Sequence, residues 1–113
     1  MSAKPNSKLI VLVEDPFICN YLRSLLARLG YQVLEAAPQR GVELVRTEST
    51  KVALVVTNTP HLFTAFAEWL PVLYLAAIPD LDLAACFRAC RAIRKPFHPY
   101  QFLEAVEELA GLL

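Results

Sequence analysis

Two patterns of apolar residues alternate along the chain. Lys8–Val13 (KLIVLV), Val52–Thr57 (VALVVT) and Val72–Ala76 (VLYLA) are short, nearly unbroken apolar runs, and the first holds three β-branched residues. Such runs predict strands buried on both faces. Tyr31–Ala36 (YQVLEA) and Cys90–Arg94 (CRAIR) are more mixed and predict two further strands. Between the runs, apolar residues recur at helical spacing. Phe17, Ile18, Tyr21, Leu22, Leu25, Leu26 and Leu29 mark the first helix. Val42, Leu44 and Val45 mark a weaker one over Pro38–Thr47, and Leu62, Phe63, Phe66, Trp69 and Leu70 a strongly apolar one over His61–Leu70. Leu81–Ala89 reads as a short helix. Pro99–Leu113 reads as the last helix, with Phe102, Leu103, Val106, Leu109 and Leu112 on one face.

The punctuation agrees with these spans. Asp15-Pro16 pairs a carboxylate cap with proline at the first helical position. Gly30 stops that helix. Asn58–Pro60 is a turn, and Pro79-Asp80 precedes the short helix. Strand followed by helix, repeated with short connections, predicts a parallel sheet covered by helices on both faces. Ligands of such sheets bind beyond the carboxyl ends of the strands. That edge carries Glu14 and Asp15, then Asn58, then Ala76 and Ala77, and lastly Lys95.

Composition narrows the classes. At 113 residues the chain is the size of one domain. Residues AVILMFWYC make up 56% and charged residues 19%, which excludes general disorder. A mean hydropathy of +0.40 fits a thick core or a spare apolar surface. Eleven basic and eleven acidic residues cancel, and no basic stripe points to nucleic acid. No run approaches the roughly 18 apolar residues of a membrane span. The expectation is therefore a soluble, cytoplasmic protein with a flexible polar N-terminus, 1–7, and one domain over 8–113. Cys19, Cys86 and Cys90 show no metal-ligand spacing and read as reduced, mostly buried thiols. His61 and His98 have no catalytic neighbour in sequence. The three glycines lie in no phosphate-binding loop, which sets a nucleotide site low.

An acidic pair ending strand one (VED), a polar residue ending strand three, PVLYL in strand four and KPF before the last helix together resemble the receiver domain of two-component response regulators. The resemblance spans residues 8–112. It implies a doubly wound (βα)5, flavodoxin-like α/β fold with strand order 2-1-3-4-5. It also implies a role in phosphorelay signal transduction rather than catalysis of a metabolic reaction. In that family the acidic pair holds Mg²⁺, and an aspartate ending strand three accepts phosphate. A Ser or Thr ending strand four and a lysine after strand five bind the phosphoryl group, and a strand-five aromatic acts as the switch.

Transferred residue by residue, the pattern is incomplete. Glu14 and Asp15 match the acidic pair, oxygen ligands of the type magnesium takes. Lys95 matches the phosphoryl-binding lysine, with an ion pair to the acids as its plainer role, and Lys95-Pro96 is a candidate cis bond. Asn58 stands at the phosphoacceptor position, with Thr57 as the alternative one residue earlier. Ala76 replaces the hydroxyl residue and Ala92 the switch aromatic. The expectation is a degenerate pseudo-receiver that requires no cofactor and works by protein–protein contact or as a homodimer. Its surface would be the Leu81–Ala89 helix, the Cys90–Arg94 strand and the last helix, with Leu103, Leu112 or Leu113 buried in a dimer. Arg88, Arg91 and Arg94 are candidate partner residues there, and Trp69 marks a second surface. The alternative keeps Mg²⁺ or a small anion at the acidic pair and Lys95 as the regulatory input.

Overall fold

The computed structural model describes residues 8–111. Five strands form one parallel sheet in the order β2-β1-β3-β4-β5. They are β1 (Leu9–Val13), β2 (Gln32–Glu35), β3 (Val52–Thr57), β4 (Val72–Ala76) and β5 (Cys90–Arg94). Four α-helices, α1 (Pro16–Leu26), α2 (Pro38–Thr47), α3 (Leu81–Ala85) and α4 (Pro99–Ala110), and a 3-10 helix (Pro60–Phe66) complete it. This is the architecture the strand–helix alternation and the resemblance imply.

The two faces of the sheet carry two apolar layers. Ile10, Leu12, Leu54, Val56, Leu73 and Leu75 pack against Leu22 and Leu26 of α1 and Phe102, Val106 and Leu109 of α4. Val11, Val13, Val55 and Val72 pack against Leu44 and Val45 of α2, Phe63 and Phe66 of the 3-10 helix, and Phe87. The central strand β3 is buried along its whole length, which is why its sequence reads as an unbroken apolar run. The edge strand β2 is largely exposed, and its mixed sequence reflects that.

Several boundaries differ from the sequence expectation. The segment after Asn58 forms a 3-10 helix ending at Phe66, not an α-helix reaching Leu70. Pro60 starts it, and the tight turn buries Phe63 and Phe66 while leaving Trp69 exposed. The helix from Leu81 ends at Ala85 rather than Ala89; beyond it the Arg88 N–H donates to the Ala67 carbonyl at 2.9 Å instead of continuing the helix. The first helix ends at Leu26, after which Gly30 takes a left-handed φ of 79°. The last α-helix ends at Ala110; the expectations for residues 1–7, Leu112 and Leu113 fall outside the described residues. Cys86 is exposed, so the reading of the cysteines as mostly buried fails at that position.

At Gly41, α2 lies close against the sheet. A Cβ added there would lie 2.5 Å from Val13 Cγ2. Glycine thus lets α2 sit down on the carboxyl end of β1, next to the edge where the polar residues gather.

Candidate functional site

Parallel pairing brings the strand ends together. Val13 is the register partner of Thr57, so Glu14 and Asn58 follow side by side beyond them. Ala76 is the partner of Arg94, and Lys95 N–H donates to the Ala76 carbonyl at 2.8 Å. The edge therefore holds Glu14, Asp15, Asn58, Ala76 and Lys95 in one neighbourhood, as the sequence reading places them.

Each acidic side chain already has a partner. Asp15 Oδ1 accepts the Phe17 N–H at 2.9 Å and caps α1, as the Asp-Pro signal implies. Glu14 turns inward: its side chain is 0% exposed, and Oε1 accepts the Asp15 N–H at 3.0 Å. Glu14 Oε2 lies 2.9 Å from Lys95 Nζ. The approach is outside hydrogen-bond geometry, so Oε2 is a buried atom neutralised by charge and not by a directed bond. Taking a carboxylate out of water costs several kcal/mol unless a counter-charge accompanies it. Lys95 supplies that counter-charge and is itself one quarter exposed. The Lys95-Pro96 bond is cis.

The other strand-end residues divide by burial. Thr57 is fully buried, with Oγ1 accepting the Thr59 N–H at 3.0 Å and lying 3.1 Å from the Thr59 hydroxyl. Asn58 is exposed. A groove of about 460 Å³ opens beside it between the ends of β1, β2 and β3. Glu14, Asp15, Glu35, Pro38 and Asn58 are among its lining residues. Glu35 is held by Arg23 at 3.6 Å. The edge thus carries a hydrogen-bonded threonine, an exposed amide, one capping carboxylate and one ion-paired carboxylate.

The candidate partner residues are not equivalent. Arg91 Nη1 is bound to Glu108 Oε1 at 2.9 Å, so this arginine ties β5 to α4 within the chain. Arg88 and Arg94 are exposed. Trp69 is 39% exposed and packs edge-on against Phe66 with ring centroids 5.8 Å apart. Leu103 packs partly buried against the core. Sequence reasoning missed four highly exposed apolar side chains: Phe17 at 87%, Ile78 at 84%, Tyr100 at 76% and Leu81 at 70%. All lie in the first turn of a helix, or just before one, on the carboxyl edge of the sheet. Helical spacing marked Phe17 as apolar without showing which way it points. His98, given no role from sequence, caps α4: Nδ1 accepts the Tyr100 N–H at 3.2 Å, and the Gln101 side chain returns a bond to His98 N–H at 2.9 Å.

The five-stranded parallel sheet in the order 2-1-3-4-5, with its helices, is the fold of the receiver class. No protein-family model and no curated protein sequence matches the chain. Solved structures do. A signal receiver domain of an HD domain-containing protein from Pseudomonas fluorescens Pf-5 superposes with a TM-score of 0.75 at 21% identity, covering 99% of this chain and 93% of that one. A response regulator receiver protein from Sinorhizobium medicae WSM419 gives a TM-score of 0.72 at 16% identity, covering 92% and 94%. One from Burkholderia phymatum gives 0.71 at 22% identity, covering 92% and 95%. The chain has the response-regulator receiver fold.

The resemblance implies magnesium, and the residues present do not fit it. Magnesium requires near-octahedral oxygen ligands, supplied in part by carboxylates. Here Glu14 is sealed against Lys95, Asp15 caps a helix and Asn58 brings no charge. Among the described residues no group of three or more His, Cys, Asp or Glu side chains could hold a metal ion. Among the same residues no helix is long and apolar enough to cross a membrane.

Proposed function

We propose that this chain is a pseudo-receiver: a cytoplasmic signalling domain, spanning residues 8–113, that acts by protein–protein contact without phosphoryl transfer. The observation that carries the reading is the Glu14–Lys95 pair. The carboxylate that would hold a metal and the lysine that would meet a phosphoryl group neutralise each other, with Oε2 and Nζ 2.9 Å apart. Asn58 stands beside them where the family has its acceptor aspartate. An amide nitrogen is not a nucleophile toward phosphorus, and Thr57 is buried and hydrogen-bonded to Thr59 without a base beside it. Ala76 and Ala92 offer neither hydroxyl nor aromatic ring. On this reading the domain is not an enzyme and requires no cofactor.

The proposed output face is α3, β5 and α4, with Arg88 and Arg94 exposed on it and Arg91 bracing it from within. Leu81 adds apolar surface at 70% exposure. Its partner is a protein, including a second copy of this chain, and not nucleic acid.

Intact mass after incubation with a small phosphodonor and Mg²⁺ tests the chemistry. The expected mass is unchanged, whereas a phosphoryl adduct would overturn the reading. Sedimentation of the wild type and of a Leu81→Glu, Arg94→Glu variant tests the face. Concentration-dependent association that the variant abolishes is the result expected of a homodimer.

A further inference from the structure

The ring of Tyr74, in the middle of β4, is only 6% exposed. Its register partners are Thr57 on β3 and Ala92 on β5, so the neighbour on the outer strand presents only a methyl group. The phenol oxygen reaches beyond the strand end and accepts the backbone N–H of Asp80 at 3.1 Å. Asp80 is the N-cap of α3, its Oδ1 accepting the Leu83 N–H at 3.1 Å. A core side chain thus holds the residue that starts the helix.

The helix it starts has little else to anchor it. α3 has five residues, none of them buried. Helices shorter than about 12–15 residues are marginal without tertiary contacts. The far end is tied down by the buried Phe87 ring and by the Arg88 N–H, which donates to the Ala67 carbonyl at 2.9 Å. At the near end, Ile78 and Leu81 flank Asp80 at 84% and 70% exposure and contribute little packing.

We infer that Tyr74 is a positioning pin for the β4–α3 connection. Its hydroxyl sets where Asp80 sits, and with it how Ile78 and Leu81 are presented on the α3–β5–α4 face. The role in signalling rests on the docking proposal above; the pin itself does not. Ala92 permits the arrangement, because a larger side chain on β5 would crowd the ring from its own register position.

Residue-resolved amide hydrogen exchange on the full chain tests the pin, with Tyr74→Phe and Ala92→Leu beside the wild type. Tyr74→Phe keeps the ring and removes the hydroxyl. The expected result is exchange about five- to ten-fold faster at Asp80, Leu83 and Ala84, the scale of one neutral hydrogen bond. Amides of β1 and β3 should keep their rates. Ala92→Leu should loosen the same segment by displacing the ring. Unchanged rates at Asp80–Ala84 in Tyr74→Phe would overturn the pin. So would a uniform rise across the sheet, or failure of that variant to fold, since either makes Tyr74 an ordinary core residue. The docking proposal fails separately, if Leu81→Glu leaves every protein contact intact while the exchange result stands.

Discussion

Lys95 Nζ lies 2.9 Å from Glu14 Oε2, and this contact joins the end of β5 to the end of β1 across the strands between them. The glutamate is sealed from solvent and the lysine is partly in contact with it. That asymmetry makes the two residues unequal as mutational targets. Lys95→Ala strands an uncompensated buried carboxylate and should cost about 3 kcal/mol, the low end of the range for breaking a buried pair. Glu14→Gln leaves a lysine that can reach water and should cost clearly less. Denaturant unfolding of both variants checks the order, and equal losses would contradict it.

Gly41→Ala places two effects in opposition. Alanine gains about 1 kcal/mol over glycine in a helix interior. Its Cβ would also lie 2.5 Å from Val13 Cγ2, on a short, stiff side chain inside the core. Overpacking costs typically about 1–3 kcal/mol, so net destabilisation is expected. Adding Val13→Ala should relieve the clash, so the double variant should lose less than the two single losses combined. Thermal melts of the three variants settle the sign.

The cap at Asp15 makes a smaller, local claim. Asp15→Ala removes the acceptor of the Phe17 N–H and should cost about 1 kcal/mol. Asp15→Asn keeps an acceptor and should cost little. If Asp15 were chiefly a metal ligand, the wild type would gain stability on adding Mg²⁺ and both variants would lose that gain.

The cysteines should sort by exposure. Cys86 is exposed and should react first with a thiol reagent at neutral pH. Burial pushes the Cys19 thiol up to about 11 from 9.0, and its S–H donates to the Glu14 carbonyl at 3.4 Å. Burial pushes Cys90 up to about 11 as well. Both are protonated in the fold over a pH range where the unfolded chain has begun to ionise. Their contribution to stability is therefore complete below about 9 and is lost as pH rises toward about 11. Unfolding midpoints measured over that interval should fall.

The order of the strands came only with the resemblance to receiver domains. The central strands and the residues that end them were legible in the sequence because burial on both faces leaves an unbroken apolar run. The 3-10 helix was not: Leu62, Phe63, Phe66 and Trp69 repeat at a spacing that fits either helix type, and only the turn tightened by Pro60 separates them. The site was legible by position and in outline by partnership: Asp15-Pro16 reads as a cap, and Lys95 as an ion-pair partner of the acids. What VED does not show is that the Glu14 side chain is sealed from solvent while Asp15 stays exposed. Arg91 looked as available as Arg94 until its bond to Glu108 was seen, because a contact between residues 17 apart in sequence leaves no local signal.

Amide NMR during addition of Mg²⁺ and then beryllofluoride, a phosphoryl mimic, tests the central claim most directly. The account predicts no saturable shift at Glu14, Asp15, Asn58 or Lys95 with either, because the glutamate and the lysine already neutralise each other and no acceptor carboxylate stands at Asn58. A saturable beryllofluoride-dependent change that begins at these residues and spreads to β5 and α4 would contradict it.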